Sequence, residues 1–415
     1  MKLARSVSLA ATFMLAGSSV GAQEPAAEQP VTPHTELYAK IARAVHKIHS
    51  VFGAPVHPLI SGVAPGGGWG AGLGYNAPGG GPAGLGYHDP GRGPWDVGAK
   101  AIYTLNNYWL AEGIAGYKNR RAQVEAFGRW REMRRLDYFG SGPTSSLSSR
   151  TSFSLRDPVV GAHGKFRVAP WLALGGRVEE IWPYASSGKR SPTIEQLFFP
   201  ADAPGLFAPV RYGRYQGSVD IELPPAVGNA FYQGTKSRLT YAIYDQQISG
   251  LSFDFRRVDV EAQQVFAGLG AHHRLTLSGW AATSVTNAGQ EVPFHLQPTL
   301  GGKSAIRSVH EHRLGSDGTD ATLRGYRNLR FRDRNLLLVQ AEYRVPLWGP
   351  VDATVFADAG KVAPTRSDLD FTDLRRDVGF SLSIMKAWTT WARVDVGFGS
   401  GEGTRVFFTL GELTP

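Results

Sequence analysis

Five arginines lie within eleven residues of this sequence, from Arg324 to Arg334, in a stretch (321–335) that reads A-T-L-R-G-Y-R-N-L-R-F-R-D-R-N. Guanidinium groups at this density suit three settings: contact with nucleic-acid phosphates, exposure on a solvated loop, or pairing with carboxylates in a confined place. A basic run alone does not separate these settings. The acidic residues that follow it bear on the choice.

Two carboxylates stand on the polar faces of the segments that follow the arginines. Glu342 lies between Ala341 and Tyr343, and Asp358 follows Ala357. Successive side chains of a strand point to opposite faces, so both acids point away from the apolar face of their strands. They are either ordinary acids of a polar face or the specific partners of an arginine.

Other patterns that could support chemistry are weak. A Gly-x-Ser-x-Gly motif of the hydrolase type spans 17–21, inside a segment that we expect to be removed. His272-His273 and His310-x-His312 have no acidic or cysteine neighbours at metal-ligand spacing. We therefore expect no catalytic residue, no metal and no cofactor, and a protein that is not an enzyme.

The beginning of the chain predicts export. Lys2 and Arg5 precede an apolar stretch and a run of small residues, so we expect residues 1–22 to be a cleaved signal peptide. Residues 23–58 are expected to form a disordered leader and a short amphipathic helix over about 35–52, which lies in the periplasm or plugs a barrel. The chain has no cysteine, and a barrel closed by backbone hydrogen bonds does not need disulfides.

From Trp95 to the C-terminus apolar and polar residues alternate, which is the pattern of half-buried strands, and we expect one β-domain over residues 59–415. We count about sixteen such segments, separated by Gly, Pro, Asn and Asp turns. A soluble sandwich would bury the apolar faces, whereas a transmembrane barrel turns them to lipid and places aromatic residues near the strand ends. Tryptophans lie at or near the ends of predicted strands: Trp95, Trp109, Trp171, Trp182, Trp348 and Trp391. This favours an all-β fold, a 16-stranded antiparallel transmembrane β-barrel.

The charge balance indicates an anionic partner. The formal net charge is +9 and the pI is about 9.6. Nucleic acid and anionic lipid both fit a basic protein. An exported chain meets lipid headgroups and lipopolysaccharide rather than nucleic acid, so we expect outer-membrane lipids and no nucleic acid as partners.

A glycine-rich tandem repeat precedes the alternating region. Residues 71–82 and 83–94 are nearly identical, and both begin Ala-Gly-Leu-Gly-Tyr. Two copies are too few for a repeat fold. A glycine-rich strand gains little from side-chain packing, so we expect its pairing to be weak and its register easily shifted.

Several motifs surround the arginine-rich stretch. Val292-Pro-Phe-His and Leu300-Gly-Gly precede Leu323-Arg-Gly-Tyr, while Ala341-Glu-Tyr-Arg and Val355-Phe-Ala-Asp-Ala-Gly follow it. Together they resemble the C-terminal barrel of the outer-membrane protein 85 superfamily, the BamA/TamA-like insertases and translocases. That family has V/L-R-G-F/Y on its sixth extracellular loop, x-E-Y/F-R on strand 12 and F-x-D-x-G on strand 13. Five predicted strands follow Asn335, as in the family, but an insertion at 303–321 leaves the fold of the loop base open.

The resemblance implies a long sixth loop, residues 285–335, that folds into the barrel. The tip of this loop would act as a latch made of three residues: Arg324, Gly325 and Tyr326. Its implied partners lie on the inner wall: Glu342, Asp358 and Gly360. The planar guanidinium of Arg324 would serve both carboxylates, and Gly325 would permit close backbone approach. The remaining arginines are expected on a solvated loop face or at lipopolysaccharide: Arg327, Arg330, Arg332 and Arg334.

The resemblance also implies a lateral seam between the first and last strands. We expect the first strand to be the glycine-rich one or its duplicate, and the candidate seam residues are Trp69, Gly72, Leu73, Tyr75, Val406, Phe408 and Leu410. Family insertases carry POTRA domains, and residues 23–58 are too few for one, so we expect the branch that lacks them.

The expected location is the bacterial outer membrane. There the chain would help to insert, translocate or organise outer-membrane proteins or lipids, with other outer-membrane proteins or the barrel-assembly machinery as further partners. The alternative is a passive channel or structural barrel plugged by its own loop.

Overall fold

The computed structural model describes residues 55–77, 94–225, 232–268, 270, 272–303, 322–386 and 389–410. The predicted signal peptide, leader and N-terminal helix lie outside these residues, and so do the second glycine-rich copy and most of the insertion at 303–321. Within the described part, no helix has the length and hydropathy needed to cross a membrane. The helices there are short 3₁₀ turns, at Leu147–Ser149, Ile194–Gln196, Phe294–Leu296 and Arg366–Asp368.

Strands make up most of the described chain. The first ten are β1 (Val56–Ser61), β2 (Gly70–Asn76), β3 (Trp95–Thr104), β4 (Trp109–Lys118), β5 (Ala122–Tyr138), β6 (Thr151–Arg156), β7 (Val159–Ala169), β8 (Leu172–Ile181), β9 (Tyr184–Ser187) and β10 (Tyr212–Leu223). The next ten are β11 (Tyr232–Gln246), β12 (Phe255–Ala267), β13 (Arg274–Thr286), β14 (Thr299–Leu300), β15 (Phe331–Arg332), β16 (Asn335–Trp348), β17 (Val351–Ala363), β18 (Arg375–Lys386), β19 (Thr389–Gly399) and β20 (Gly403–Leu410).

Eighteen of these strands form one sheet, and β14 and β15 form a separate two-stranded sheet. Neighbours in the large sheet pair antiparallel and mostly follow one another in the chain, as β2–β3, β10–β11 and β16–β17 do. Tight turns join such neighbours: Asn107 has φ 60° between β3 and β4, and Gly349 has φ 52° between β16 and β17. Asn and Gly are the residues that adopt this left-handed conformation most readily.

Two proline-containing interruptions explain why the sheet has eighteen strands where the sequence predicts sixteen. Pro158 separates β6 from β7, and Pro183 separates β8 from β9. β5 pairs with β7 along one half and with β6 along the other, while β8 pairs with β7 and β9 pairs with β6. Proline has no N–H to donate to a ladder, so each pair of short strands follows one course through the sheet with a break at the proline.

The two faces of the sheet are the reverse of those in a soluble protein. On β17, Asp358 is 2% exposed while Val355 is 63% exposed, and on β5 Glu125 is 5% exposed while Val124 is 57% exposed. Charged side chains are almost never buried in water-soluble folds unless they are paired. We call the face with buried charges the inner face. Its buried charged residues include Arg129, Arg131, Arg177, Glu179, Arg214, Asp259, Asp358, Arg393 and Asp395.

The alternation in the sequence predicts the part of the chain after residue 334 closely. Five strands follow there, and each begins and ends within two residues of its predicted bounds, which are 336–347, 351–362, 377–386, 391–399 and 404–411. The prediction that the glycine-rich strand comes first is wrong, because β1 precedes the glycine-rich β2 and pairs with it. β1 reads Val-His-Pro-Leu-Ile-Ser, which has only a short apolar alternation and a proline, so its pattern is weak.

Candidate functional site

The described parts of the sixth loop, 287–303 and 322–334, pack on the inner face. The base of the loop is held by the β14–β15 pairing, in which Thr299 faces Arg332 and Leu300 faces Phe331. Gly301 and Gly302 have φ of 111° and 73°, a conformation that side chains rarely adopt.

The two ends of the insertion leave and re-enter the loop side by side. The Thr322 amide donates to the Gly302 carbonyl at 3.1 Å, and the Gly302 amide donates to the Leu323 carbonyl at 2.7 Å. The Thr322 hydroxyl accepts from the Gly301 amide at 3.0 Å. Residues 304–321 lie outside the described part. The Leu-Gly-Gly element therefore abuts the Arg-Gly element in space, although the insertion separates the two in sequence.

Arg324 is fully buried and held by three donated hydrogen bonds. Its Nε and Nη2 donate to the two oxygens of Asp358 at 2.7 and 2.6 Å, and its Nη1 donates to Glu342. The guanidinium lies 3.5 Å from the centroid of the Phe356 ring. Burial alone would lower the pKa of Arg324, but the charges of Asp358 and Glu342 outweigh burial and raise the pKa above its ordinary value. The side chain is therefore a permanent cation in a fixed fork geometry.

A third carboxylate and a second arginine lie at this site, and the sequence motifs do not reveal them. Asp377 on β18 stands directly opposite Asp358 on β17. Directly opposed carboxylates repel each other when both are charged, and the buried cation of Arg324 reduces this repulsion. Arg393 on β19 donates to Glu342 at 3.3 Å, so Glu342 is shared by two guanidinium groups.

Gly325 lies where no side chain fits. A Cβ at this position would lie 2.4 Å from the Gly399 nitrogen and 2.5 Å from the Asp377 Cβ. The Tyr326 hydroxyl donates to the Arg376 carbonyl at 3.1 Å and reaches the Ser400 carbonyl at 3.4 Å. The tip thus touches β17, β18 and the β19–β20 turn together with β16.

Gly360 lies against the base of the loop. A Cβ there would meet the Leu337 carbonyl at 2.7 Å and the Leu300 side chain at 3.0 Å. The missing side chain of Gly360 therefore makes room for Leu300. Leu300 belongs to a buried apolar cluster that fixes this base: Trp280, Ala282, Leu300, Leu323, Tyr326, Phe331, Leu336, Leu338 and Val362.

The expectation of a solvated arginine face is wrong for Arg330 and Arg332. Arg330 donates to Glu402 at 2.5 Å and to both oxygens of Ser145 at 2.8 and 2.7 Å. Arg332 is 1% exposed and donates to the Phe294 carbonyl at 2.5 Å. Three aromatic rings, of Tyr138, Phe153 and Phe294, surround its guanidinium at 5.4 to 5.7 Å. Sequence spacing gives no sign of these partners, because they come from separate parts of the chain, from 38 residues away for Phe294 to 185 residues away for Ser145.

The seam residues are placed differently from the expectation. The glycine-rich β2, with Gly72, Leu73 and Tyr75, is paired on both sides, by β1 and β3. A Cβ on Gly72 would lie 2.0 Å from the Ala101 carbonyl, so glycine here permits close packing on β3.

The two edges of the sheet are therefore β1 and β20, and no ladder joins them among the described residues. Trp69, in the turn before β2, stacks on Phe408 of β20 with ring centroids 5.2 Å apart. Val406 is 65% exposed on the outer face, and the side chain of Leu410 lies outside the described residues.

In the described part of the chain, no group of three or more His, Asp or Glu side chains lies close enough together to hold a metal ion. His273 instead has its Nδ1 3.1 Å from the Tyr343 hydroxyl. His272 forms part of an exposed turn with φ 65°. The pair His310 and His312 lies outside the described residues.

Comparison with solved structures finds similar folds at low sequence identity. BamA from Haemophilus ducreyi lacking POTRA domains 1–3 matches with a TM-score of 0.53 and 12% identity, over 86% of this chain and 69% of that one. CdiB from Escherichia coli matches with a TM-score of 0.53 and 11% identity, over 86% of this chain and 62% of that one. The chain thus spans less than two thirds of the CdiB structure. No family model and no curated protein matches.

Proposed function

Starting from its outer-membrane protein 85-type barrel fold, we propose that the chain is an integral outer-membrane β-barrel that opens at a lateral seam. Through this seam it would help to insert, translocate or organise outer-membrane proteins or lipids, without catalysing a reaction. The exposed apolar outer face and the buried charges of the inner face support a membrane setting, since a barrel turns its apolar face to lipid. β16 and β17, with 14 and 13 residues, exceed the roughly 9–11 residues needed to cross a bilayer.

The pairing order supports a sixteen-stranded barrel. The eighteen strands reduce to sixteen positions when β6–β7 and β8–β9 are each counted once. The sixth loop then lies between positions eleven and twelve, as the resemblance implies. Closure of the barrel would bring β20 against β1, because these two strands are its ends.

The loop tip would act as a latch on the last strands. Arg324, with Asp358 and Glu342, ties the loop to β16 and β17, and Tyr326 ties it to the backbone beside β18 and β20. This contact would hold strands 12–16 as one stiff half of the wall. Movement of the barrel would then concentrate at the edge of β20.

The observation that carries the proposal is the junction of β1 and β20. Neighbouring strands elsewhere in the described sheet are joined by ladders of backbone hydrogen bonds. Here the contact with β20 comes from the β1–β2 turn, where the Trp69 ring stacks on Phe408. β1 has only 6 residues and contains Pro58, which cannot donate to a partner strand. A junction of this kind opens at a lower cost than a full ladder.

Tethering the seam tests the proposal. The chain has no cysteine, so Trp69→Cys with Phe408→Cys can be joined selectively by a short bismaleimide. The control pair, Trp95→Cys with Tyr117→Cys, has the same 5.2 Å ring separation but lies across the β3–β4 ladder. The readout is the rate at which a denatured barrel protein folds into vesicles that contain this chain. We expect acceleration by the wild type, loss with the seam tether, and no loss with the control tether.

Full acceleration by the seam-tethered protein would contradict the lateral seam. The same variants separate the seam from a passive channel by planar-bilayer conductance. A large steady conductance that rises when residues 285–335 are removed and ignores the tether would assign the chain to plugged channels instead.

A further inference from the structure

A cavity rich in arginine lies under the loop tip, beside the seam. Its volume is about 190 Å³, well above the ~10–15 Å³ that one water molecule requires. The lining comes from the β1–β2 turn, the far half of β5, the segments flanking β6 and β9, the sixth loop and β20. The lining residues that carry the argument are Arg135, Asp137, Arg150, Arg190, Arg327 and Arg405.

The charge of this cavity is unbalanced. Five arginines and one aspartate line it, which gives a formal charge of +4. Asp137 already serves two of the arginines, accepting from Arg150 at 3.0 Å and from Arg190. Glu402, a further acid whose charge acts on Arg327, is bonded to Arg330. The guanidinium groups of Arg135, Arg327 and Arg405 therefore have no carboxylate of their own among the described residues.

Donors in the cavity are left unused by the protein. The Nε atoms of Arg135, Arg327 and Arg405 are buried and have no hydrogen-bond partner among the described residues. Arg135 uses Nη1 on Asn106 at 2.9 Å, and Arg405 uses Nη2 on the Glu402 carbonyl at 3.0 Å. No hydrogen bond of the described part uses the Arg327 guanidinium. Buried donors without partners cost free energy, so three of them around one cavity indicate an acceptor that the described part of the chain does not supply.

The surroundings of Arg327 disfavour its charged form. Burial lowers its pKa, and the neighbouring charges of Arg150 and Arg405 lower it further. A side chain that the fold holds against like charges and without a hydrogen bond is stabilised when a dianion enters. The lowered pKa of Arg327 therefore points to the same cavity as the unpaired donors do.

We propose that this cavity binds a phosphate monoester. A phosphate monoester carries about −1.5 to −2 charges and three acceptor oxygens at neutral pH, which matches several converging guanidinium forks better than a single carboxylate does. The group comes either from a phosphorylated lipid headgroup at the seam or from a soluble phosphate. Its position between Arg405 on β20, Arg327 on the loop and Arg135 on β5 would link the seam to the latch.

Titration of the purified full chain with inorganic pyrophosphate at low salt tests the site, since salt screens such contacts. We expect the wild type to bind and Arg327→Gln to bind at least tenfold more weakly. Arg405→Gln should give a similar loss. The control, Arg120→Gln with Arg121→Gln in the exposed β4–β5 turn, removes two charges elsewhere and should bind like the wild type.

A second arm identifies the source and separates binding from folding. In nanodiscs, phosphatidic acid should raise the unfolding temperature of the wild type above its value in phosphatidylcholine, and Arg327→Gln should cancel the rise. Pyrophosphate binding without this rise assigns a soluble phosphate. Because the Arg327 side chain makes no hydrogen bond to the residues that the structure describes, a merely structural role predicts unchanged or higher stability for Arg327→Gln and equal pyrophosphate affinity. Equal affinity, or no binding by the wild type, would overturn the site. Neither result depends on whether the seam opens.

Discussion

At the residue scale, the chemistry of this chain is one buried cation and the carboxylates around it. Motif and strand parity lead from the sequence to Arg324, Glu342 and Asp358, and the structure has these three in contact. Asp377 could not be found in this way, because its place opposite Asp358 depends on the register of β17 and β18. Alternation fixes the face of a residue but not its neighbour on the next strand.

The two opposed aspartates should respond differently to loss of charge. Asp358→Asn removes the main partner of Arg324 and leaves a buried cation, which costs about 3–5 kcal/mol. Asp377→Asn removes a like charge and leaves the Arg324 bonds in place, so its stability should equal or exceed that of the wild type. Urea unfolding in vesicles measures both. Equal destabilisation by the two variants would show that Arg324 does not distinguish the aspartates.

At the element scale, the sequence predicts strands well and their interruptions poorly. The last five strands follow from alternation, because one face of each strand carries exposed apolar side chains and the other carries buried charged ones. The breaks at Pro158 and Pro183 follow from proline chemistry, but their effect on pairing appears only beside the long β5. Pro58 lies in the weakly patterned β1, which pairs on one side only among the described residues, and edge strands are where proline is tolerated.

The sixth loop carries a pH response through His295, in the 3₁₀ turn Phe294–Leu296. Burial, with a contribution from Arg332, lowers the pKa of His295 to about 3. An unfolded histidine has a pKa of about 6.5, so between these values the unfolded state binds a proton that the folded state does not. Stability is therefore fully present above pH 6.5 and falls on acidification, by about 2 kcal/mol at pH 5.

His295→Gln should flatten this response, because it removes the titrating ring. His272→Gln, in an exposed turn, is the matched control and should keep the wild-type slope. The measurement is the urea midpoint at pH 7.5 and pH 5 for all three proteins. An unchanged slope in His295→Gln would remove His295 as the source.

At the scale of the whole molecule, the fold is recognisable where the sequence is not. The match to BamA from Haemophilus ducreyi has only 12% identity, although the two folds are similar. Alternation survives wide sequence change because it needs only apolar and polar residues in turn. The sequence prediction placed the first strand at the glycine-rich segment and missed β1, because a short strand that contains a proline shows little alternation.

Hydrogen exchange of the backbone amides tests the central claim, which is that the sheet opens between β1 and β20. Strands joined by ladders on both sides and pinned by Arg324, such as β16 and β17, should be the most protected. In bilayer nanodiscs we expect the amides of 56–61 and 403–410 to exchange at least a hundredfold faster than those of 335–348 and 351–363. Equal protection of the two groups would contradict a seam at this junction.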